Sequence, residues 1–99
     1  MPPKKKPVVT ILVPMYNEEL VLPLLFDELN RVTGGIKDCD FVYLFVDDGS
    51  KDASVSIVKN YASQDSRVRY LALSRNFGKE KALLAGFDHV DSDAVIVID

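Results

Sequence analysis

Acidic, amide and basic side chains recur at four points of the chain, each directly after a short apolar run. The four segments are Pro14-Met15-Tyr16-Asn17-Glu18, Asp47-Asp48-Gly49-Ser50, Ser74-Arg75-Asn76-Phe77-Gly78-Lys79 and Asp99. Three of the four carry an acid, and the third along the chain carries cations and an amide. Carboxylates that share one edge repel each other unless cations or hydrogen-bond donors compensate. Such an edge is suited to hold a base and ribose through acceptors, and a diphosphate through a metal ion and a lysine.

Each of these segments also has a simpler structural explanation. Asn17-Glu18 fits a helix N-cap with an acid in the first turn, which the helix dipole favours. The segment 47–50 fits a tight turn with glycine at the strained position and serine as a cap. Asn76 fits a cap, Lys79 a solvated side chain and Asp99 a polar strand end. These alternatives stay open for each segment alone, but the combination favours a binding site.

The apolar runs that position these segments predict alternating strands and helices. The strands are predicted at 8–13 (ended by Pro14), 41–46, 68–73 and 94–98. A helical stripe spans 20–32, with Pro23 either in the first turn of a late helix or kinking an early one. A second stripe covers 55–62 with Ser50 or Asp52 as N-cap, and a third helix covers 82–90. Both of the first two stripes are interpreted as core.

The predicted order βαβαβαβ indicates an α/β fold. The run 95–98 is continuously apolar, so it requires cover on both faces, which is typical of a parallel sheet wrapped by helices. Right-handed crossovers then favour a doubly wound, mostly parallel four-stranded sheet in the order 3-2-1-4, with helices on both faces. Ligands of such sheets bind beyond the carboxyl ends of the strands, where the four polar segments lie.

Composition sets the class of protein. With 99 residues, 47% hydrophobic and 27% charged, the chain fits one domain with a single core, predicted over 8–99. The formal charge of −3 argues against nucleic acid as a partner. Residues 1–7 form a basic leader that we interpret as mobile. The single cysteine, Cys39, cannot form an internal disulfide, which fits a reducing, cytoplasmic location. No run approaches the roughly 20 apolar residues of a membrane helix.

The polar segments and their strands together resemble the family-2 glycosyltransferases of the GT-A fold. The resemblance is carried by Val-Pro-x-Tyr-Asn-Glu at 13–18, Val-Asp-Asp-Gly-Ser at 46–50, Leu-Ser-Arg-Asn-Phe-Gly-Lys at 73–79 and Val-Ile-Val-Ile-Asp at 95–99. It covers residues 8–99, the N-terminal half of that fold. The first two motifs are common to the family, whereas the third is similar to bacterial polyprenyl-phosphate glycosyltransferases, relatives of dolichyl-phosphate mannosyltransferase.

The resemblance implies a nucleoside pocket made by the first two polar segments. Pro14, Tyr16 and Glu18 would line it, with Glu18 accepting a hydrogen bond from the ribose or the base. Asp48 would accept the N3 hydrogen of uracil or a donor on the edge of guanine, and Asp47 would support that loop. The donor would be a UDP- or GDP-linked sugar.

The resemblance also implies the surroundings of the donor phosphates. Asn76 and Lys79 would face the phosphates or the ribose. Asp99 matches the first acid of the family's Asp-x-Asp element, which holds Mg²⁺ or Mn²⁺ against the diphosphate. The second acid, the acceptor half and any membrane helices do not occur in these 99 residues. We therefore expect a soluble, truncated piece, inactive by itself, of an enzyme that glycosylates a polyprenyl phosphate at the cytoplasmic face of a membrane.

Other doubly wound nucleotide- or phosphate-binding classes fit the sequence less well. Pro14-Met15-Tyr16-Asn17 stands where a dinucleotide-binding fold needs Gly-x-Gly-x-x-Gly. Leu73 stands where a P-loop needs its first glycine, and Leu73-Ser74-Arg75 follows strand 3 where a phospho-receiver domain needs aspartate. A non-catalytic protein that self-associates through strand 95–98 remains an alternative, because this apolar strand is an edge in the order 3-2-1-4.

Overall fold

Seven elements alternate along the chain in the computed structural model, which describes residues 6–98. The strands are β1 (Val8–Met15), β2 (Asp40–Asp47), β3 (Val68–Ala72) and β4 (Ala94–Val97), and the helices are α1 (Leu22–Gly34), α2 (Ser54–Gln64) and α3 (Lys79–Asp88). All strand pairs are parallel, in the order β3-β2-β1-β4, which confirms the predicted topology. Residues 1–5 of the predicted leader and the predicted metal ligand Asp99 lie outside the described residues.

Helices cover both faces of the central strands β1 and β2. On one face, α1 and α2 pack on Ile11, Val13, Tyr43 and Phe45 through side chains that include Leu29 and Val58. On the other face, α3 packs through Ala82 against Leu12, Leu44 and Val46. Successive strand residues alternate between these two clusters, as the pleat dictates. The central strands β1 and β2 are therefore buried between two layers. The cover expected on both faces of the run 95–98 is incomplete, because Ile96 and Val97 of β4 are 49% and 40% exposed.

The prediction that Pro14 ends the first strand is wrong. β1 continues to Met15, and Pro14 lies opposite Val46 in the parallel register with β2. The backbone groups of alternate residues point to opposite neighbours: Leu12 O accepts from Ile98 N just beyond β4, and Met15 O accepts from Asp48 N just beyond β2. By this alternation Pro14 faces β4, whose pairing ends opposite Leu12. The missing N–H therefore costs no ladder hydrogen bond.

The interpretation of the whole 20–32 stripe as core is only partly correct. α1 begins at Leu22 with Pro23 in its first turn, which is the late start that proline favours. Its buried face carries Leu22, Leu29 and Thr33. Leu20 and Leu24 are 86% and 72% exposed, and Val21 and Val32 are also exposed. The 55–62 stripe does face the core: Val58 is buried, and Ile57, Tyr61 and Ala62 pack beside it.

Two helix starts also differ from the prediction. Ala53 occupies the N-cap position of α2 without a side-chain cap, so neither Ser50 nor Asp52 is the N-cap residue. Asp52 nevertheless accepts a hydrogen bond from Ser54 N, two residues on, at 2.9 Å, which is the spacing of a capping hydrogen bond. α3 begins at Lys79, nearly one turn before the predicted start at Ala82. This earlier start places Lys79 at the N-terminal end of α3, which lies at the carboxyl edge of the sheet.

Candidate functional site

Three loops leave the sheet at the same level. Met15 lies opposite Asp47, and Asp47 lies opposite Ala72, in the parallel registers of β1, β2 and β3. The loops that follow these residues therefore start side by side on one edge. They are residues 16–21, 48–53 and 73–78, here called loop 1, loop 2 and loop 3.

A polar pocket lies where loops 1 and 2 meet the start of α3. Its volume is about 140 Å³, and it is lined by Pro14, Met15, Tyr16, Glu18, Asp48, Lys79 and Ala82. Five of the sequence-predicted site residues are therefore brought together: Pro14, Tyr16, Glu18, Asp48 and Lys79. Asn76 is exposed on loop 3 and does not line this pocket, and Asp47 is buried behind it. Met15 and Ala82 are lining residues that the sequence analysis did not single out.

An apolar pocket of about 250 Å³ adjoins the polar one on the α1 side of β1. Pro14, Met15 and Glu18 line both pockets. The remaining lining residues are apolar, from β1, the end of loop 1, the first turn of α1 and the residue after β4: Val13, Val21, Leu22, Leu25 and Ile98. Glu18 therefore stands at the junction between a polar and an apolar space.

The Asp48 carboxylate joins loop 2 to loop 3. Its side chain is almost fully buried, and its oxygens accept hydrogen bonds from Phe77 N at 2.8 Å and Gly78 N at 3.1 Å. The next residue, Gly49, has a φ of 76° and lies directly against the Arg75–Asn76 peptide. A Cβ at Gly49 would lie 2.3 Å from Arg75 C, so only glycine allows the two loops to approach this closely.

Two serines of the 50–54 region join loop 2 to loop 1. The Ser50 hydroxyl donates to Asp47 Oδ1 and accepts from Asn17 N at 2.8 Å. The Ser54 hydroxyl donates to Asp52 Oδ1 at 2.6 Å and accepts from Glu18 N at 2.8 Å. In both cases an acid orients a serine, and the serine holds a backbone N–H of loop 1.

Further hydrogen bonds complete this junction. Asn17 Oδ1 accepts from Lys51 N at 2.9 Å, and Asp52 Oδ2 accepts from Glu19 N at 3.2 Å. Asn17 has a φ of 52°, a left-handed conformation that asparagine tolerates better than most residues. Because α1 begins at Leu22, Asn17 and Glu18 are not its N-cap, and the simpler explanation of this segment is wrong. The loop-joining role of Asn17 was not predicted, and the sequence indicates it only through the tolerance of asparagine for positive φ.

The acid Asp52 is stabilised in its charged form. Desolvation acts to raise its pKa, but hydrogen bonds from the Ser54 hydroxyl, Ser54 N and Glu19 N outweigh it and lower the pKa below the ordinary value. Hydrogen bonds to the charged form have this effect in general. Asp52 therefore remains an acceptor for Ser54 and Glu19 at neutral pH.

The carboxylates of the described residues do not form a metal-binding cluster. Within residues 6–98, no three His, Cys, Asp or Glu side chains are arranged to hold a metal ion. The pocket contributes two acids, Glu18 and Asp48, and one cation, Lys79. In the same range of residues, no helix is long and apolar enough to cross a bilayer.

The chain is a doubly wound parallel α/β protein with a polar pocket beyond the carboxyl ends of its strands, which is where ligands of such sheets bind. The sequence comparison narrows this class: residues 10–99 match the profile of Glycosyl transferase family 2. The chain belongs to this family, and its sheet is the N-terminal part of the GT-A fold.

Individual relatives agree with this assignment. The chain is 42% identical over 95 residues to the putative glycosyltransferase CsbB of Bacillus subtilis, covering 96% of this chain and 29% of that protein. It is 43% identical over 91 residues to the bactoprenol glucosyl transferase of Shigella phage SfX, covering 92% and 30%. Among solved structures, the mannosyltransferase PcManGT of Pyrobaculum calidifontis, in complex with GDP-Man and Mn²⁺, superposes with a TM-score of 0.67 at 26% identity, covering 92% and 26%. The chain spans under a third of the length of these proteins.

Proposed function

We propose that this chain forms the donor-binding part of a glycosyltransferase that moves a sugar from a UDP- or GDP-linked donor to a polyprenyl phosphate. Family membership supports sugar transfer. The lipid acceptor is supported by the relative named a bactoprenol glucosyl transferase, and the nucleotide donor by the mannosyltransferase that binds GDP-Man. A lipid acceptor places the whole protein at a membrane, and we assign it to the cytoplasmic face.

The polar pocket is the observation that carries this proposal. It combines the apolar and aromatic surface of Pro14 and Tyr16, the acceptors Glu18 and Asp48, and the cation Lys79. An aromatic face suits a planar base, carboxylates suit the N–H and O–H donors of a base and ribose, and an ammonium suits a phosphate. We therefore assign the nucleoside to Pro14, Tyr16, Glu18 and Asp48, with Asp47 supporting loop 2.

Lys79 and Asn76 are assigned to the phosphate side of the donor. Lys79 is the first residue of α3, so its ammonium adds to the positive end of the helix dipole beside the pocket. Asn76 lies on loop 3 outside the pocket lining and can reach only a part of the ligand that extends beyond it.

We assign Asp99 as a ligand of a divalent ion, Mg²⁺ or Mn²⁺, bound together with the donor diphosphate. Such an ion is often held by one or two carboxylates together with substrate phosphates, so it does not require a three-acid cluster on the protein. When bound, it would neutralise charge on the leaving diphosphate. The described residues supply no such cluster.

The proposed reaction needs little proton transfer. An anionic oxygen of the lipid phosphate attacks the anomeric carbon and forms the new C–O bond. The bond from that carbon to the donor diphosphate breaks, and the nucleoside diphosphate leaves with its electron pair. The residues of this chain would hold the nucleoside still, so that the breaking bond keeps its orientation toward the acceptor.

Calorimetric titration of the chain with UDP, GDP and NAD, with and without Mn²⁺, tests the proposal. We expect UDP or GDP to bind and NAD not to bind. Glu18→Gln should raise the Kd for the nucleotide about tenfold, because it replaces a charged acceptor worth roughly 1.5–3 kcal/mol. The matched control is Glu80→Gln on α3, an exposed acid outside the pocket lining, which should leave the Kd unchanged. NAD binding, or equal effects of the two variants, would contradict the assignment.

The β4 edge supports a second candidate property, self-association of the chain. In the described part of the sheet β4 lies at one end, and Ile96 and Val97 are 49% and 40% exposed. Since Ile98 N bonds to Leu12 O, alternation along the strand turns the backbone groups of Val95 and Val97 away from β1. An edge of this kind is a template for a strand of a second copy.

Light scattering over a range of concentrations tests this self-association. We expect the fraction of dimer to rise with concentration. Val97→Lys should keep the chain monomeric, because a charged edge opposes strand pairing. Leu24→Lys is the control, since Leu24 is more exposed but lies on α1. A monomeric wild-type chain at high concentration, or loss of the dimer only in Leu24→Lys, would reject the β4 edge as the interface.

A further inference from the structure

Loop 1, which carries Glu18, is held by a hydrogen bond to a side chain of α2. No described side chain of loop 1 caps α1, and the first turn of α1 contains no acid. Glu18 N instead bonds to Ser54 Oγ, on the first residue of α2, 36 positions along the chain. Ser54 is fully buried, which is unusual for a serine at the start of a surface helix.

The Ser54 hydroxyl donates a hydrogen bond to one partner and accepts a hydrogen bond from another. Asp52 Oδ1 accepts its hydrogen at 2.6 Å, and this fixes the orientation of the hydroxyl. The oxygen then presents a lone pair to Glu18 N at 2.8 Å. The same Asp52 oxygen also accepts from Ser54 N, so the acid and the serine hold each other in a closed turn. A rigid acceptor built in this way determines the position of Glu18 N.

We propose that Ser54, oriented by Asp52, is a positioning residue that sets Glu18 for the nucleotide, an inference that rests on the proposed function. Neither Ser54 nor Asp52 lines the polar pocket, so both act through loop 1 and not by contact with the ligand. The parallel unit of Asp47 and Ser50 holds the preceding residue, Asn17, in the same manner. Two acid–serine units, one at each end of loop 2, therefore hold the backbone N–H groups of Asn17 and Glu18 in loop 1.

Nucleotide titration of single and double variants tests this role. We expect Ser54→Ala to raise the Kd for UDP or GDP about fivefold, through loss of the hydrogen bond that orders Glu18. In the Glu18→Gln background the same change should add less than twofold, because residues that act through one contact are not additive. Ser56→Ala, an exposed serine of the same helix, is the matched control and should change nothing. Fully additive effects of Ser54→Ala and Glu18→Gln would overturn the proposal.

Two variants of Asp52 distinguish loss of the hydroxyl orientation from a general loss of folding. Asp52→Asn keeps one oxygen that accepts from the Ser54 hydroxyl and loses only the longer, exposed hydrogen bond from Glu19 N at 3.2 Å, so it should raise the Kd clearly less than Asp52→Ala. Asp52→Ala loses both and should raise the Kd at least about fivefold, as much as Ser54→Ala. If both Asp52 variants weaken binding equally while thermal unfolding of Asp52→Asn is unchanged, the hydroxyl orientation is irrelevant and the proposal fails.

Amide hydrogen exchange separates this inference from the proposed function. Ser54→Ala should increase the exchange rate of Glu18 N–H about tenfold relative to Ser56→Ala, because its acceptor is gone. An unchanged rate would overturn the positioning role even if nucleotides bind. If the wild-type chain binds neither UDP nor GDP, the proposed function and the nucleotide-directed role are overturned together, and the exchange rate still decides whether Ser54 holds loop 1.

Discussion

Gly49→Ala is expected to lower the free energy of unfolding by about 2–4 kcal/mol, and to remove measurable nucleotide binding. The new Cβ would meet Arg75 C at 2.3 Å, Asn76 N at 2.5 Å and Arg75 O at 2.7 Å, all of them backbone atoms. A flexible side chain could turn away, but a backbone must move as a unit. Loop 3 would then separate from loop 2, and the Asp48 carboxylate would lose Phe77 N and Gly78 N.

Two further variants separate the causes of this loss, measured by chemical unfolding and by titration. Gly34→Ala is the control, because no atom lies within 4 Å of its Cβ position at the end of α1, and it should not destabilise the chain. Gly49→Asn relieves part of the backbone strain at a φ of 76° but keeps the steric conflict. We expect it to behave like Gly49→Ala. Wild-type stability of Gly49→Ala would show that loops 2 and 3 are not packed as described.

The sheet was predictable from sequence because the apolar pattern of each strand is visible in a short segment of the chain. Continuously apolar runs indicate a parallel sheet, for which right-handed crossovers leave few strand orders open. The run 95–98 itself is only partly covered, because β4 is an edge strand with Ile96 and Val97 exposed. The same reasoning predicted that residues after β1, β2 and β3 gather at one edge, and Met15, Asp47 and Ala72 do stand level there. Period and connection rules were sufficient for this part.

The start of α1 was less predictable, because the apolar stripe extends beyond the helix. Leu20, Val21 and Leu24 match a helical period, yet all three are exposed. Pro23 decides the outcome, since it is best accommodated in a first turn, and the helix then begins at Leu22. Periodicity alone does not say which side of a stripe meets the sheet. That depends on the crossing of the helix over β1 and β2, which is a tertiary property.

The hydrogen bonds that hold the loops together were also beyond sequence reasoning. A serine two residues after an acid, as in Asp52-Ala53-Ser54, is an ordinary turn or cap signal. That Ser54 serves loop 1, 36 positions earlier in the chain, follows only from the adjacent ends of β1 and β2. From its motif, Asp48 was likewise expected to bind the base. In the structure its oxygens already accept hydrogen bonds from two backbone N–H groups, those of Phe77 and Gly78.

Asp48→Ala should therefore weaken both the fold and the site. Two backbone N–H groups lose a buried, charged acceptor, and we expect the free energy of unfolding to fall by about 2–4 kcal/mol. Loop 3 carries Phe77 and Gly78 directly into Lys79 at the start of α3, so its release also displaces the phosphate side of the pocket. The Kd for UDP or GDP should rise at least about 30-fold in calorimetric titration. An unchanged Kd would contradict the assignment of Asp48 to the site.

Asp48→Asn tells the two roles of this carboxylate apart. A carboxamide has one acceptor oxygen, so it can accept from Phe77 N or from Gly78 N but turns an N–H donor toward the other, whichever way it is flipped. Its stability should therefore fall nearly as far as that of Asp48→Ala. Asp40→Asn, an exposed acid at the opposite end of the same strand, is the control and should change neither stability nor Kd. If Asp48→Asn keeps wild-type stability but loses nucleotide binding, the carboxylate serves the base alone, and loop 3 must be held by the packing of Gly49.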